Sequence, residues 1–271
     1  MEGMDFWHKQ TPEQPLFPDL LWSRPENRAS AGKLLIIGGN AHGFSVPAEA
    51  FAVATATGVG TARVLLPDVL RKSMGGVMAE GEFATSTPSG SFAKSALGEF
   101  LAQAAWADGV LLAGDLGRNS ETTVLLEAFV QKYTGLLCVT RDAVDYFYGQ
   151  PKLLFERPDT TIVLSLSQLQ KMGSALHFET PFLLSMGLML LVKALHQLTE
   201  LYPVTVVVRE LDNMVVAQGG QVSTTKTAQA LSEKDDLWRV STAAQTSVWW
   251  IQNPSKPFEA MTTALVADPK N

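Results

Sequence analysis

Four apolar residues in a row, Leu34-Leu35-Ile36-Ile37, close on Gly38-Gly39. A strand without polar alternates must be covered on both faces, so it belongs inside a parallel sheet sandwiched between helices. The chain repeats that theme. Residues 47–57, opening with Pro47 at a suitable first helical position and closed by Gly58, read as an Ala-rich helix. Strands are predicted at 62–66, 109–113, 136–140 and 161–165, with a helix from about 120 to 133. A long helix is predicted from Thr180-Pro181 to Leu201, stopped by Pro203 and apolar on nearly every face through Val192, hence deeply buried. A strand at 204–208 follows, and 213–217 with 221–225 flank Gln218-Gly219-Gly220 as a hairpin. Residues 240–252 and 257–267 read as two final helices. Strands alternating with helices predict an α/β fold, a mainly parallel central sheet with helices on both faces, built as a single domain over 32–271.

Residues 1–31 differ in kind. This arm carries Pro12, Pro15, Pro18 and Pro25 among Phe6, Trp7, Leu16, Phe17, Leu20, Leu21 and Trp22. Proline at that density disfavours regular helix and central strand, while the aromatics favour burial over disorder. Two readings stay open: the arm wraps its own domain, or it contacts another subunit of a homo-oligomer.

Charge narrows the function classes. With 21 Lys plus Arg against 27 Asp plus Glu, the net charge is −6, which disfavours binding to a nucleic-acid backbone. The longest uncharged apolar run, 182–192, is too short to span a bilayer, and the acidic start Met1-Glu2-Gly3-Met4-Asp5 lacks the features of a signal peptide. A single cysteine, Cys138, excludes an internal disulfide and suits the reducing cytoplasm, where we expect the protein to act.

Ligands of such sheets bind beyond the carboxyl ends of the strands. Two loops there draw attention. Gly38-Gly39-Asn40-Ala41-His42-Gly43-Phe44 joins a strand to a helix, where glycines permit close backbone approach and helix amides favour an anion. Its spacing matches neither a dinucleotide fingerprint nor a P-loop. Ala113-Gly114-Asp115-Leu116-Gly117-Arg118 also joins strand to helix, but there the Asp115 carboxylate would itself satisfy the loop amides and repel a phosphate. Asp142 and Asp145 follow the 136–140 strand and either position a substrate hydroxyl or cap the next helix. The four histidines (His8, His42, His177, His196) show no ligand spacing, so no protein-held transition metal is expected, and no G-x-S-x-G elbow is present. Trp249-Trp250, Met186 and Met189 read as core.

The order of these pieces resembles the ADP/ATP-dependent NAD(P)H-hydrate dehydratases, which have a ribokinase-like fold. Residues 32–39 with the Ala-rich helix and Gly58-Val59-Gly60 resemble the family's opening. Ala107 to Gly117 is similar to its central stretch, which normally ends Gly-Pro-Gly-Leu-Gly. Thr140-Arg141-Asp142-Ala143-Val144 resembles its Asp-Ala-Asp-Ala-Leu, and Val206-Val207-Val208-Arg209-Glu210 sits where the family's strand meets the nucleotide. Pro257-Phe258-Glu259-Ala260 is similar to the start of its last helix. The resemblance implies nucleotide-dependent dehydration of hydrated NADH or NADPH, with ADP or ATP as cofactor. Magnesium would accompany the nucleotide, without identified protein ligands. It places substrate at Gly38, Gly39, Gly43, Ala48, Gly117 and Asp142, and the nucleotide at Arg209, Glu210 and Asp212.

The chain departs from the family at the reacting end. The Gly-Thr/Ser-Gly-Asp loop that cradles phosphate and supplies the base has no counterpart, since no glycine occurs from Gln221 to Asn253. Counting back from Pro257 puts Val240 at the carboxylate position, and a shifted register puts Asp236 there as the candidate catalytic residue. Ser165-Leu166-Ser167-Gln168-Leu169-Gln170 replaces the segment bearing the family's substrate histidine. Two functions follow from the resemblance: a divergent dehydratase working through Asp236, or a non-catalytic homologue that binds a nucleotide or a partner protein.

Overall fold

The computed structural model describes residues 4–74, 81–226 and 237–267. Its strands are β1 (Trp7–Gln10), β2 (Lys33–Gly38), β3 (Thr61–Pro67), β4 (Gly81–Ala84), β5 (Gly109–Gly114), β6 (Leu136–Thr140), β7 (Thr160–Leu164), β8 (Thr205–Glu210), β9 (Asn213–Gln218) and β10 (Gln221–Lys226). Its helices are α1 (Pro18–Trp22), α2 (Ser45–Ala56), α3 (Arg71–Met74), α4 (Leu97–Ala104), α5 (Ser120–Lys132) and α6 (Asp142–Asp145). After these come α7 (Lys152–Phe155), α8 (Leu166–Ala175), α9 (Leu188–Leu201), α10 (Leu237–Gln252) and α11 (Pro257–Ala264). The strands form one sheet in the order β1-β10-β9-β8-β7-β6-β5-β2-β3-β4. Neighbours run parallel except that β9 is antiparallel to both β8 and β10.

Successive residues of β2 serve opposite faces, as a period of two requires. Leu35 and Ile37 join the core under α4, α5, α8 and α9, built around Phe100, Phe129, Leu169 and Leu195. Leu34 and Ile36 join the opposite core, under α2 and α10, with Ala50, Ala54, Val240 and Trp250. Trp249 and Trp250 are buried, and Cys138 lies at the centre of β6. The mainly parallel sheet with both faces covered is the architecture that the apolar runs predict.

Two helical expectations need correction. The helix predicted from Thr180 begins only at Leu188, with Gly187 at its N-cap in an extended conformation. Phe182 instead stacks on Phe178, ring centroids 5.6 Å apart, and lies against Gly173, where a side chain would fill its place. Docking that ring outweighs about two more helical turns. The run is also not buried throughout: Leu184, Met189 and Leu190 are exposed, so Met189 is not core, whereas Met186 is.

The arm is more regular than its prolines suggest. β1 pairs with β10 and closes one edge of the sheet, and Gln10 Nε2 donates to Thr225 Oγ1 at 2.8 Å. α1 begins on Pro18 at its first turn, where the missing amide costs nothing. Leu20 is buried with Trp249 and Ala260, while Trp22 is 88% exposed.

Candidate functional site at the carboxyl edge of the sheet

β2 is flanked by β3 and β5, so the chain leaves it toward β3 and later returns to pair on its other side. Loops after β2 and β5 therefore part in opposite directions, which makes the crevice where ligands of such sheets collect. The sequence-predicted residues Gly38, Gly39, Gly43, Ala48, Gly117 and Asp142 all lie at this crevice or on the turns around it. β2 and β5 approach closely there: a Cβ on Gly38 would sit 2.5 Å from the Gly114 carbonyl oxygen.

Carboxylates occupy the amides of the crevice. Asp142 Oδ1 accepts from the Asp115 amide at 2.8 Å, and Oδ2 accepts from the Leu116 amide at 3.0 Å. Asp142 thus ties the loop after β5 to the end of β6, rather than only starting α6. Asp115 does not satisfy its own loop as the sequence suggested. With φ at 58°, it turns its side chain across the crevice, where Oδ2 accepts from the Val46 amide of α2 at 3.3 Å. Arg141 Nη2 stands 3.9 Å from Asp115 Oδ1, and Asn40 Nδ2 donates to the Asp115 carbonyl at 2.5 Å. A negative charge against the first turn of α2 is favourable, so the helix that would attract an anion already holds one.

Asp115, at φ 58°, and Arg141, at φ 53°, are non-glycine residues in a sparsely populated backbone region at the tips of adjacent strands. Such conformations cost about 1–3 kcal/mol each and persist where the surroundings impose them. Here the Asp142 bonds and the Arg141–Asp115 ion pair do so.

Beside this clasp a cleft of about 410 Å³ opens between the start of α5 and α6. Arg118, Asn119 and Ser120 form one wall; Asp142, Asp145 and Tyr146 form the other. Tyr146 donates its hydroxyl to the Gly117 carbonyl, and burial beside Asp142 and Asp145 pushes its pKa up to about 12, so it remains a neutral donor. Asp145 Oδ1 accepts from Tyr148 and from Gln168 Nε2, both at 2.8 Å.

Gln168 is a connecting residue that the sequence did not single out. It completes a capping box with Ser165 at the start of α8, and its Nε2 also donates to the Arg141 carbonyl at 2.7 Å. Its Oε1 accepts from Arg239 Nη1 at 2.7 Å, which ties α10 to the edge of the sheet. The replaced 165–170 segment is therefore structural: Ser165 and Gln168 spend their polar atoms on helix and loop. A Ser-x-x-Gln pattern ahead of an apolar run was the available signal.

Arg209, Glu210 and Asp212 lie apart from this cluster, at the end of β8 and the turn to β9. Three strand spacings of about 4.8 Å separate β8 from β5, so the two groups stand roughly 14 Å apart on one edge. Arg209 Nε donates to the Leu211 carbonyl at 2.9 Å. Partial burial, then the neighbouring Asp212 charge, raise the Glu210 pKa above the usual carboxylate value. Asp236 lies outside the described residues. α10 opens at the next position, Leu237, and the Arg239 carbonyl is 3.4 Å from Thr140 Oγ1 at the end of β6. Val240, the alternative position for the base, is fully buried in the core. Among the described residues, no three His, Cys, Asp or Glu side chains converge on a metal position, and no helix is long and apolar enough to cross a membrane.

No protein-family model matches the chain, and no curated protein matches it. Solved structures do. A ribokinase-like superfamily protein from Enterococcus faecalis aligns over 98% of this chain and 88% of its own, with a TM-score of 0.69 and 14% identity. An ADP/ATP-dependent NAD(P)H-hydrate dehydratase from Bacillus subtilis, co-crystallised with ATP and Mg2+, covers 93% of this chain and 86% of its own at a TM-score of 0.58 and 12% identity. Bacillus subtilis pyridoxal kinase, in an ADP complex, covers 86% and 88% at a TM-score of 0.55 and 11% identity. At these identities the likeness is one of architecture, and the chain has the ribokinase-like α/β fold.

Proposed function

We propose that this chain is a divergent homologue of the NAD(P)H-hydrate dehydratases that binds an adenine nucleotide but no longer performs the dehydration. The reading rests on one observation. The amides of Asp115, Leu116 and Val46, at the crevice where the resemblance places the substrate hydroxyl, already bond to the carboxylates of Asp142 and Asp115. Dehydration through a phosphorylated hydroxyl needs preorganised donors for the charge that develops, and a fixed carboxylate there opposes it. Losing one such donor typically costs about 2.7–4 kcal/mol of barrier.

Arg209, Glu210 and Asp212 form the nucleotide end. Two carboxylates and one guanidinium suit the ribose hydroxyls that ADP and ATP share. Magnesium, if present, arrives on the phosphates. The polar cleft at Asp142, Asp145 and Tyr146 takes a small hydroxylated ligand, with the hydrated nicotinamide nucleotide as the family's candidate. The single buried thiol suits a cytoplasmic setting.

A second reading retains catalysis with Asp236 as the base. It is favoured by the start of α10 at Leu237, immediately after Asp236, and by the approach of that helix to the end of β6.

Two measurements separate the readings. Purified protein is incubated with hydrated NADH and ADP or ATP with Mg2+, and reduced nicotinamide is followed by its absorbance. Melting temperature is recorded in parallel with each nucleotide. Binding without turnover is expected; ligand at 100 times its Kd adds about 2.7 kcal/mol of stability. Nucleotide-dependent turnover abolished by Asp236→Asn would establish the second reading instead. Neither turnover nor stabilisation would remove both.

A further inference from the structure

The loop between β4 and α4 carries Thr87-Pro88-Ser89-Gly90-Ser91, a turn that touches both glycine loops of the crevice. The Gly90 carbonyl accepts from the Ala41 amide, in the loop after β2, at 2.9 Å. Ser91 packs on the loop after β5, where a Cβ on Gly117 would lie 2.5 Å from Ser91 Oγ. Ser89 Oγ accepts at 2.9 Å from Nδ2 of Asn119, on the wall of the neighbouring cleft. Gly90 and Ser91 are buried, so the turn fills its part of the crevice rather than skirting it.

The turn is bonded mainly to itself. The Thr87 amide donates to the Ser91 carbonyl at 2.7 Å, and the Gly90 amide donates to the Thr87 carbonyl at 2.9 Å. Thr87 Oγ1 accepts from the Ser91 amide at 3.2 Å. Its base is fixed at both ends. Ser86 donates to the Asp68 carboxylate, and Phe92 is fully buried, edge-on to Phe100 with ring centroids 4.9 Å apart. Among the described residues, the tip is tied to the crevice by the bonds at Ala41 and Asn119. Two neutral hydrogen bonds hold far less than a packed core does, so this unit can open alone.

We propose that residues 87–91 form a plug that turns as one body about Ser86 and Phe92, and that a ligand reaches the glycine loops only when it swings out. The plug would regulate the site proposed above, and it rests on the crevice and its cleft receiving the hydrated nicotinamide nucleotide. Apparent affinity is then reduced by the fraction of molecules that are open. Ser89→Ala cuts the tie to Asn119, which should raise that fraction about three- to ten-fold. Gly90→Ala should raise it further, because its Cβ would overlap the Ala41 methyl at a φ of 80° that alanine disfavours. Ser89 is exposed, so its variant keeps the test valid if Gly90→Ala folds poorly.

Hydrogen exchange on the full chain, resolved at single amides and corrected for intrinsic rates, reads the motion without a ligand. A swinging plug frees the Ala41 amide while the Thr87 and Gly90 amides stay bonded inside the turn. Ala41 is expected to exchange faster than both, and faster than Val110 in β5, with a further three- to ten-fold gain in Ser89→Ala. Hydrated NADH should bind the variants more tightly than wild type by the same factors. Ala41 exchanging as slowly as Val110 would overturn the plug. So would Ala41, Thr87 and Gly90 exchanging together, the mark of a turn that melts instead of swinging. Equal affinities despite faster exchange at Ala41 would remove the gate and leave the site. Binding of hydrated NADH by none of the proteins would remove the site and the gate together.

Discussion

Asp142 Oδ1 accepts from the Asp115 amide at 2.8 Å, so the carboxylate that follows β6 holds shut the loop that follows β5. The second oxygen accepts from Leu116 at 3.0 Å, and both bonds are charge-assisted. Hydrogen bonds to a charged group contribute about 1.5–3 kcal/mol each. Asp142→Ala should therefore lower stability by about 3 kcal/mol, and Asp142→Asn by roughly half that, because one neutral acceptor remains. Chemical denaturation of both variants measures this. A cost below 0.5 kcal/mol for the alanine variant would show that the clasp is not structural.

Asp115→Gly removes the carboxylate from the crevice and leaves the Val46 amide without its acceptor. Glycine also accepts φ at 58° without strain, which offsets part of the lost cap. Net stability should stay within about 1 kcal/mol of wild type, while inorganic phosphate, inert toward the wild-type protein, should raise the melting temperature of the variant. Equal responses of the two proteins to phosphate would show that Asp115 does not block an anion position.

Gly114 has φ at 114°, and a Cβ there would lie 2.5 Å from Asp142 Oδ1. Gly114→Ala should displace the clasp as well as strain the backbone, for a loss of about 3 kcal/mol. In the double variant with Asp142→Ala the combined loss should fall short of the sum, because the displaced partner is already gone. Additive losses would count against the contact.

Burial pushes the Cys138 thiol up to about 12, from an ordinary value near 9, with the Ser247 hydroxyl acting weakly the other way. The unfolded chain ionises first, so this contribution is intact below pH 9 and is lost as pH rises toward 12, by about 1.4 kcal/mol per unit. Tyr133 and Tyr146, likewise raised to about 12 chiefly by burial, add to the loss above pH 10. Cys138→Ala should move the onset of alkaline destabilisation from about pH 9 to about pH 10, read from melting temperature against pH. The wild-type thiol should react with a disulfide reagent at pH 8 only after unfolding.

The elements legible in the sequence are those set by local pattern. The apolar runs at 34–37 and 136–140 are central strands, and Gly219-Gly220 marks the hairpin of β9 and β10. β4, Gly-Glu-Phe-Ala, is too short and mixed to show a period, and β1, Trp-His-Lys-Gln, owes its strand state to the edge it pairs with. The late start of α9 depends on Phe182 finding Phe178 and Gly173, contacts that no helical periodicity encodes. At the candidate site, spacing located the glycines and Asp142 at strand ends. It did not show that Asp115 would reach Val46 of α2, 69 positions earlier, because the two meet only after β2 and β5 pair.

The edge strand β1 carries a consequence for how the molecule is made. Trp7 Nε1 donates to Thr224 Oγ1 at 3.1 Å across 217 residues of chain. The arm therefore leaves the ribosome well before its partner strand is made, 217 residues later, and contacts of such separation form slowly. Until then the nascent arm, with Phe6, Trp7, Phe17 and Leu20 uncovered, is the stretch a chaperone would have to shield.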